Sequence, residues 1–364
     1  MSVGAGRPRE ARPTLAVVGA TGAVGTVMLD ILSTREDVWG EIRLVASARS
    51  AGRQLRVRGE EVVVQALTPD VFDDVDVAMF DVPDEVSLAW APVAATRGAV
   101  VVDNSNAFRM DVDVPLVVPE VNPLAARSRP RGIIASANCT TLSVIVAVAA
   151  LHREYGLTGL VCASYQAVSG AGRIGVDTLH DQLQKVAGQR ELGTRVGDVR
   201  RAIGGDDLGP FPAPIALNVI PWAGSYRGAG HTSEEMKVRD ETRKILGLPR
   251  LAVAVTCVRV PVVTTHSVAV HATFEREVEL DRAREILRDA PSVVLDDDPE
   301  GGGFPTPIDA VGTDPTWVGR VRRSIDDPTS LDFFLCADNL RKGAALNTAQ
   351  VAELVAAELA TARA

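Results

Sequence analysis

At 364 residues the chain is long for one domain and comfortable for two, and its 46% hydrophobic and 23% charged residues supply ample core material. No apolar run approaches the ~20 residues that span a membrane. A formal charge of −9 argues against nucleic acid or an anionic membrane as partner, so an anionic substrate must be held by a few local cations.

Residues 1–13 are rich in Gly, Pro and Arg, lack an apolar stretch, and read as a frayed tail rather than a signal peptide. Thr14-Leu15-Ala16-Val17-Val18 is a β-branched strand that runs into Gly19-Ala20-Thr21-Gly22-Ala23-Val24-Gly25, and a helical segment follows at 26–33. Strand, glycine turn and helix in this order favour dinucleotide binding. Small residues admit a pyrophosphate to the backbone, and a helix N-terminus offers N–H donors and a favourable dipole. The spacing is G-x-x-G-x-x-G rather than the commoner G-x-G-x-x-G, and Gly19, Thr21, Gly22, Ala23 and Val24 are the expected contacts. A second strand, 41–46, ends where the adenosine ribose of such a cofactor belongs. An NAD site usually places Asp or Glu there, whereas this chain has Ser47-Ala48-Arg49-Ser50. Hydroxyls and a guanidinium suit a 2′-phosphate, so NADP is expected, with Ser47, Arg49 and Ser50 around that phosphate. Strands at 62–65, 77–80, 100–103 and 133–135, with a helix at 86–97, continue a doubly wound α/β pattern.

Ser136-Ala137-Asn138-Cys139-Thr140-Thr141 precedes a mostly apolar run over 142–151. Cys139 therefore sits on a turn at the start of a buried helix, where the dipole and unpaired N–H groups favour the nucleophilic thiolate. From about 158 the texture changes to long strands (157–167, 251–260, 266–274, 318–323 and 331–337) mixed with helices at 173–188, 233–246 and 280–289. Loops are expected over 189–216 and 291–316, and a closing helix over 343–362. Cys162, Cys257 and Cys336 lie in apolar runs and read as core. The four cysteines show no C-x-x-C spacing, which points to neither a disulfide framework nor a zinc site and fits a reducing cytoplasm. Gln166 ends an apolar strand before the flexible Ser169-Gly170-Ala171-Gly172. Arg259 stands among Val and Pro, where a buried guanidinium needs a partner such as a substrate carboxylate. His266 opens the next strand across a short turn, at the same end of the sheet. The other histidines, His152, His180, His231 and His271, receive a structural reading. Glu234 and Lys237 share a face of the helix opened by Thr232 or Ser233, which by spacing alone is an i,i+3 ion pair.

Seven motifs stand in one order: Gly19–Gly25, Ala46–Gly52, Asp103-Asn104-Ser105-Asn106-Ala107-Phe108-Arg109, Val118-Pro119-Glu120-Val121-Asn122, Asn138–Thr141, Tyr165–Gly172 and Asp338-Asn339-Leu340-Arg341-Lys342-Gly343-Ala344-Ala345. Together they resemble the aspartate-semialdehyde dehydrogenase family over nearly the whole chain. The resemblance implies an α/β fold with a Rossmann-like, doubly wound NADP-binding domain over 1–137, completed by a C-terminal helix in 338–364. An α+β catalytic and dimerisation domain with a large mixed sheet would occupy 138–337. It further implies NADPH-dependent reductive dephosphorylation of L-aspartyl-4-phosphate to L-aspartate-4-semialdehyde through a Cys139 thioester, in lysine, threonine, methionine and diaminopimelate biosynthesis.

In that scheme His266 is the general acid/base, and Gln166 orients it and positions the acyl-enzyme. Arg259 clamps the substrate carboxylate and Glu234 meets the amino group. Lys237 and Arg109 hold phosphate, with Asn104 and Asn138 also at the substrate. Ser169, Gly170 and Asn339 join the cofactor set, and no metal is required. The expected partners are the small-molecule substrate and a second copy of the chain, as homodimer or homotetramer, in the cytoplasm. Two segments depart from the family pattern: Val262-Val263-Thr264-Thr265 before His266, where many relatives carry a glycine, and Pro221–Gly230. The rivals are an N-acetyl-glutamyl-phosphate reductase-like acyl-phosphate reductase, a phosphorylating dehydrogenase acting like glyceraldehyde-phosphate dehydrogenase, and a catalytically silent structural paralogue. The first would not need Glu234 at an amino group, and the last would be expected to lose Cys139.

Overall fold

The computed structural model describes residues 12–35, 37–205, 207–298 and 300–362; most of the expected N-terminal tail lies outside them. The chain forms two compact units, one ending at Asn138 and resumed at Ala344, the other Cys139–Gly343.

The first unit holds β1 (Leu15–Val18), β2 (Ile42–Ala46), β3 (Gln54–Val57), β4 (Glu60–Val63), β5 (Gln65–Ala66), β6 (Val77–Phe80), β7 (Val100–Asp103), β8 (Leu116–Val117) and β9 (Ile133–Ser136). Seven of these make a parallel sheet in the order β5-β2-β1-β6-β7-β9-β8. β1 and β6 are buried at every position, as parallel strands covered on both faces must be. The expected strand at 62–65 is instead split between β5 and an antiparallel β3–β4 hairpin, because Arg58 and Gly59 turn the chain with positive φ. Helices α1 (Ala23–Thr34) and α2 (Asp84–Thr96) connect the strands. The strand order reverses between β1 and β6, so their carboxyl ends bound the crevice where such sheets bind ligands. The closing helix, Leu346–Ala362, packs on α1, β6 and β7 and is preceded by a π-turn over Arg341–Ala345, two residues before its expected start. It is fastened by a bidentate Arg35–Glu353 pair, both bonds 2.7 Å, and by Arg129–Glu358.

The second unit comprises α3 (Cys139–Tyr155), β10 (Leu157–Gln166), α4 (Arg173–Val186), α5 (Asp198–Ile203), β11 (Tyr226–Gly228), β12 (His231–Thr232), α6 (Ser233–Leu246), β13 (Ala252–Arg259), β14 (His266–Phe274), α7 (Leu280–Asp289), β15 (Val293–Leu295), α8 (Pro307–Ala310), β16 (Thr316–Arg323) and β17 (Ser330–Ala337). The regions expected as loops thus contain α5, and β15 with α8. A mixed sheet runs β13-β10-β14-β17-β16-β15. α3 is buried continuously from Thr140 to Leu151, enclosed by this sheet, α6 and α7, which accounts for a helix apolar on nearly all sides. Strand alternation then sorts the sheet residues. Gln166, Arg259 and His266 lie on the α3 side with Leu160, Cys162 and Val268. Val161, Ala163, Tyr165, Val258 and Phe334 point to the other face, where Val161 is 50% and Tyr165 39% exposed.

Candidate active site

Three strand ends meet in the second unit. β10 ends at Gln166, which is in register with Arg259 at the end of β13, and β14 begins at His266 on the other side of β10. Cys139 opens α3 on the same face. Its Sγ lies 3.3 Å from His266 Nε2, and the ring's Nδ1 accepts the Ala167 N–H at 3.1 Å. A backbone N–H can only donate, so Nδ1 is the acceptor, and the neutral ring carries its proton on Nε2, facing the sulfur. His266 is fully buried, and burial, with Arg259 second, pushes its pKa down to about 3 against an opposing pull from Glu234. The resting ring is therefore neutral.

The imidazole is thus oriented by the Ala167 backbone. The expected orienting partner, Gln166, directs its amide nitrogen to Thr140 Oγ1 at 2.6 Å instead, bracing the first turn of α3. Gln166 and His266 share a face, and the backbone N–H that follows the strand end is the group that reaches the ring.

Arg259 is 7% exposed and donates from Nη1 to the Ala167 carbonyl at 2.6 Å. Burial lowers its pKa, opposed by Cys139 and Glu234. It forms no ion pair among the described residues, so a buried cation faces the cluster with Glu234 close enough to act on it but not in contact. Glu234 and Lys237 pair at 2.6 Å, half-buried at the start of α6, where the Glu235 carboxylate accepts the Thr232 N–H at 2.7 Å. The turn at 168–171 is tied to the β13–β14 connection, with the Val168 and Ser169 N–H groups donating to Val262 and Val263. Gly170 fits there because an added Cβ would stand 2.8 Å from Arg259 Nη1 and 3.3 Å from His266 Cε1. Asn339 lies beside this turn, its Nδ2 donating to Ser169 Oγ at 3.0 Å. Cys162, Cys257 and Cys336 are buried and free, and burial pushes their thiols up to about 12, 12 and 11. His152 Nδ1 accepts the Leu157 N–H and His271 pairs with Asp332 at 2.9 Å, so both are engaged structurally.

In the first unit the Gly19–Gly25 turn is packed by backbone. A Cβ on Gly25 would lie 2.2 Å from the Gly19 carbonyl oxygen, and one on Gly19, at φ +96°, 2.0 Å from the Asp81 carbonyl oxygen. Gly22 caps α1 with no side-chain cap, no acid occupies the first turn, and Gly22 and Ala23 are exposed while Thr21 and Val24 are half-buried. Thr21 Oγ1 comes within 3.5 Å of Ser50 Oγ, which brings the loop of Ser47 and Arg49, both exposed, beside this turn. Asn104 donates to Asp81 Oδ1 at 2.9 Å, and Arg109, buried, donates to the Ser136 and Asn104 carbonyls at 2.8 and 2.7 Å. Asn138 is also buried.

The semialdehyde dehydrogenase NAD binding domain matches residues 14–128, and the semialdehyde dehydrogenase dimerisation domain matches 148–342. An aspartate-semialdehyde dehydrogenase of Streptomyces akiyoshiensis is 48% identical to this chain over 345 residues, 94% of the chain and 98% of the relative. The chain belongs to the aspartate-semialdehyde dehydrogenase family. A Corynebacterium glutamicum member is 46% identical, covering 94% of this chain and 99% of its own length. The crystal structure of aspartate semialdehyde dehydrogenase II from Vibrio cholerae superposes with a TM-score of 0.88 at 38% identity, covering 95% of this chain and 99% of that one.

Within the family's two domains, Asp81 belongs to none of the motifs legible in the sequence, and Thr265 stands out there only as a departure from the family pattern. Asp81 follows the last residue of β6 and lies directly beside the glycine turn, where burial raises its pKa against the Asn104 hydrogen bond. A polar residue closing an apolar strand next to β1 was the available signal.

Proposed function

We propose that this protein catalyses the NADPH-dependent reductive dephosphorylation of L-aspartyl-4-phosphate to L-aspartate-4-semialdehyde, through a thioester on Cys139. The observation that carries this reading is the Cys139–His266 couple at a helix start, with the buried Arg259 beside the ring. The names of the relatives support the substrate.

Cys139 Sγ attacks the acyl carbon, the bond to the phosphate oxygen breaks, and phosphate leaves as a thioester forms. Arg109 and Lys237 receive the phosphate, with Asn104 and Asn138 alongside. Arg259 holds the substrate carboxylate as a two-pronged donor, and Glu234 takes the ammonium. NADPH, when bound, supplies the hydride that reduces the thioester. The resulting oxyanion collapses with cleavage of the carbon–sulfur bond, returning the thiolate. His266, neutral with its Nε2–H toward the sulfur, stabilises that thiolate as it departs by donating a hydrogen bond to it. Gln166 keeps the first turn of α3 in place through Thr140.

The uncapped, acid-free first turn of α1 fits a pyrophosphate, with Gly19, Thr21, Gly22, Ala23 and Val24 lining it and Ser47, Arg49 and Ser50 favouring the 2′-phosphate of NADP. Ser169 and Gly170 complete the cofactor set, together with Asn339. The open sheet face bearing Val161, Tyr165 and Phe334 supports a homodimer. The first unit serves as nucleotide domain and the second as catalytic domain, working in the cytoplasm in biosynthesis of the aspartate-derived amino acids.

The test is phosphate-dependent NADP reduction with L-aspartate-4-semialdehyde, run beside Cys139→Ala. Loss of at least about 10³-fold in the variant is expected. A wild-type protein that binds NADP but leaves the semialdehyde untouched sinks the substrate assignment and spares the fold.

A further inference from the structure

Thr265 has φ +85° and is fully buried. A β-branched residue seldom occupies this left-handed region, because its Cβ crowds the backbone, and it stays there only where its surroundings hold it. Its own side chain does not hold it: the Thr265 hydroxyl has no hydrogen-bond partner among the described residues. The hold comes through the backbone. The Thr265 N–H donates to Asn339 Oδ1 at 2.9 Å, and Asn339 Nδ2 donates to Ser169 Oγ at 3.0 Å. Both polar ends of a 2% exposed amide are thereby engaged inside the protein.

Asn339 is a fixed anchor. The preceding Asp338 accepts the N–H groups of Leu340 and Arg341 on one carboxylate oxygen and that of Gly312 on the other. The residue after Thr265 is His266, whose ring must keep the Ala167 N–H on Nδ1 and Cys139 Sγ near Nε2. If Thr265 relaxed to negative φ, the peptide joining it to His266 would rotate and carry the ring off the sulfur.

We propose that Asn339 is a positioning residue for His266, pinning Thr265 in the left-handed conformation so that the imidazole stays against Cys139. This rests on the proposed function only in taking Cys139 as the reacting thiol, and it gives Asn339 a task separate from cofactor contact.

A glycine at 265 takes positive φ without a clamp, so the test is a cycle of Asn339→Ala, Thr265→Gly and the double variant. The readout is the rate at which iodoacetamide alkylates Cys139, located by peptide mass spectrometry, over pH 5–9. It needs neither NADP nor substrate, so it is readable even if the dehydrogenase reading fails. Asn339→Ala is expected to slow alkylation about ten-fold, by displacing the ring that stabilises the thiolate. Adding Thr265→Gly should restore it to within about three-fold of Thr265→Gly alone. Wild-type alkylation in Asn339→Ala overturns the proposal, as does a folded double variant as slow as Asn339→Ala. A double variant that does not fold also overturns it, since glycine at 265 should have removed the need for the clamp.

Discussion

Cys139 Sγ stands 3.3 Å from His266 Nε2 while the far nitrogen of the ring accepts the Ala167 N–H, so the histidine meets the sulfur as a neutral donor. A hydrogen bond from a neutral ring stabilises a thiolate without storing a second charge in a buried site already occupied by Arg259.

This has a consequence for stability against pH. The folded pKa of His266, about 3, lies below the 6.5 of an exposed imidazole. Unfolded chains therefore bind a proton that the native state refuses between those values. The contribution is complete above pH 6.5 and is lost as pH falls toward 3, with a full effect of about 5 kcal/mol. The melting temperature of His266→Gln should fall less steeply than wild type between pH 6.5 and 4. Parallel curves in that window count against a neutral His266.

Arg259 offers a second handle. Lysine at this position keeps the charge but not the planar fork, so it cannot meet a carboxylate with two parallel donors while bonding the Ala167 carbonyl. Arg259→Lys should raise KM for the semialdehyde by about 30- to 100-fold, or roughly 2–3 kcal/mol, with the NADP dissociation constant unchanged. Steady-state kinetics and a fluorescence titration of NADP check the two halves separately.

Gly343 presses on Cys139. An added Cβ would lie 2.9 Å from Cys139 Cβ and 3.3 Å from its Cα, and neither atom is the flexible end of a side chain. Gly343→Ala is expected to cost about 1–3 kcal/mol of stability and to slow Cys139 alkylation, measured by thermal unfolding and mass spectrometry. A variant with wild-type melting and wild-type alkylation refutes the close approach.

Arg49 is exposed in the loop brought to the glycine turn by the Thr21–Ser50 contact. Arg49→Ala should weaken NADP about ten-fold or more and leave NAD nearly unaffected, because only the former carries a 2′-phosphate. Equal weakening of both dinucleotides argues that Arg49 acts on the turn and not on the phosphate.

Much of this was legible along the chain because the signals are local. Apolar runs marked β6, β7 and β14 to the residue and β1 to within one, a glycine turn before α1 marked the nucleotide-binding domain, and a cysteine before an apolar run marked the start of α3. The short turn between Arg259 and His266 also placed both at one end of the sheet, since a few residues cannot carry the chain to the far end. What the linear order does not carry is which neighbour a polar group chooses. Gln166 bonds Thr140 rather than His266, Asn339 takes the Thr265 N–H, Asp81 borders Gly19, and Gly343 abuts Cys139. Each pairs residues distant in sequence, within distances where a tenth of a nanometre separates a hydrogen bond from none. Such choices follow from strand register and from where helices begin, which are properties of the packed sheet. Sequence alone determined the family, the layers and the cysteine that opens the buried helix. The tertiary structure decided how the His266 ring is turned toward Cys139, because only folding brings the Ala167 N–H to the ring and the Asn339 amide to the strained threonine before it.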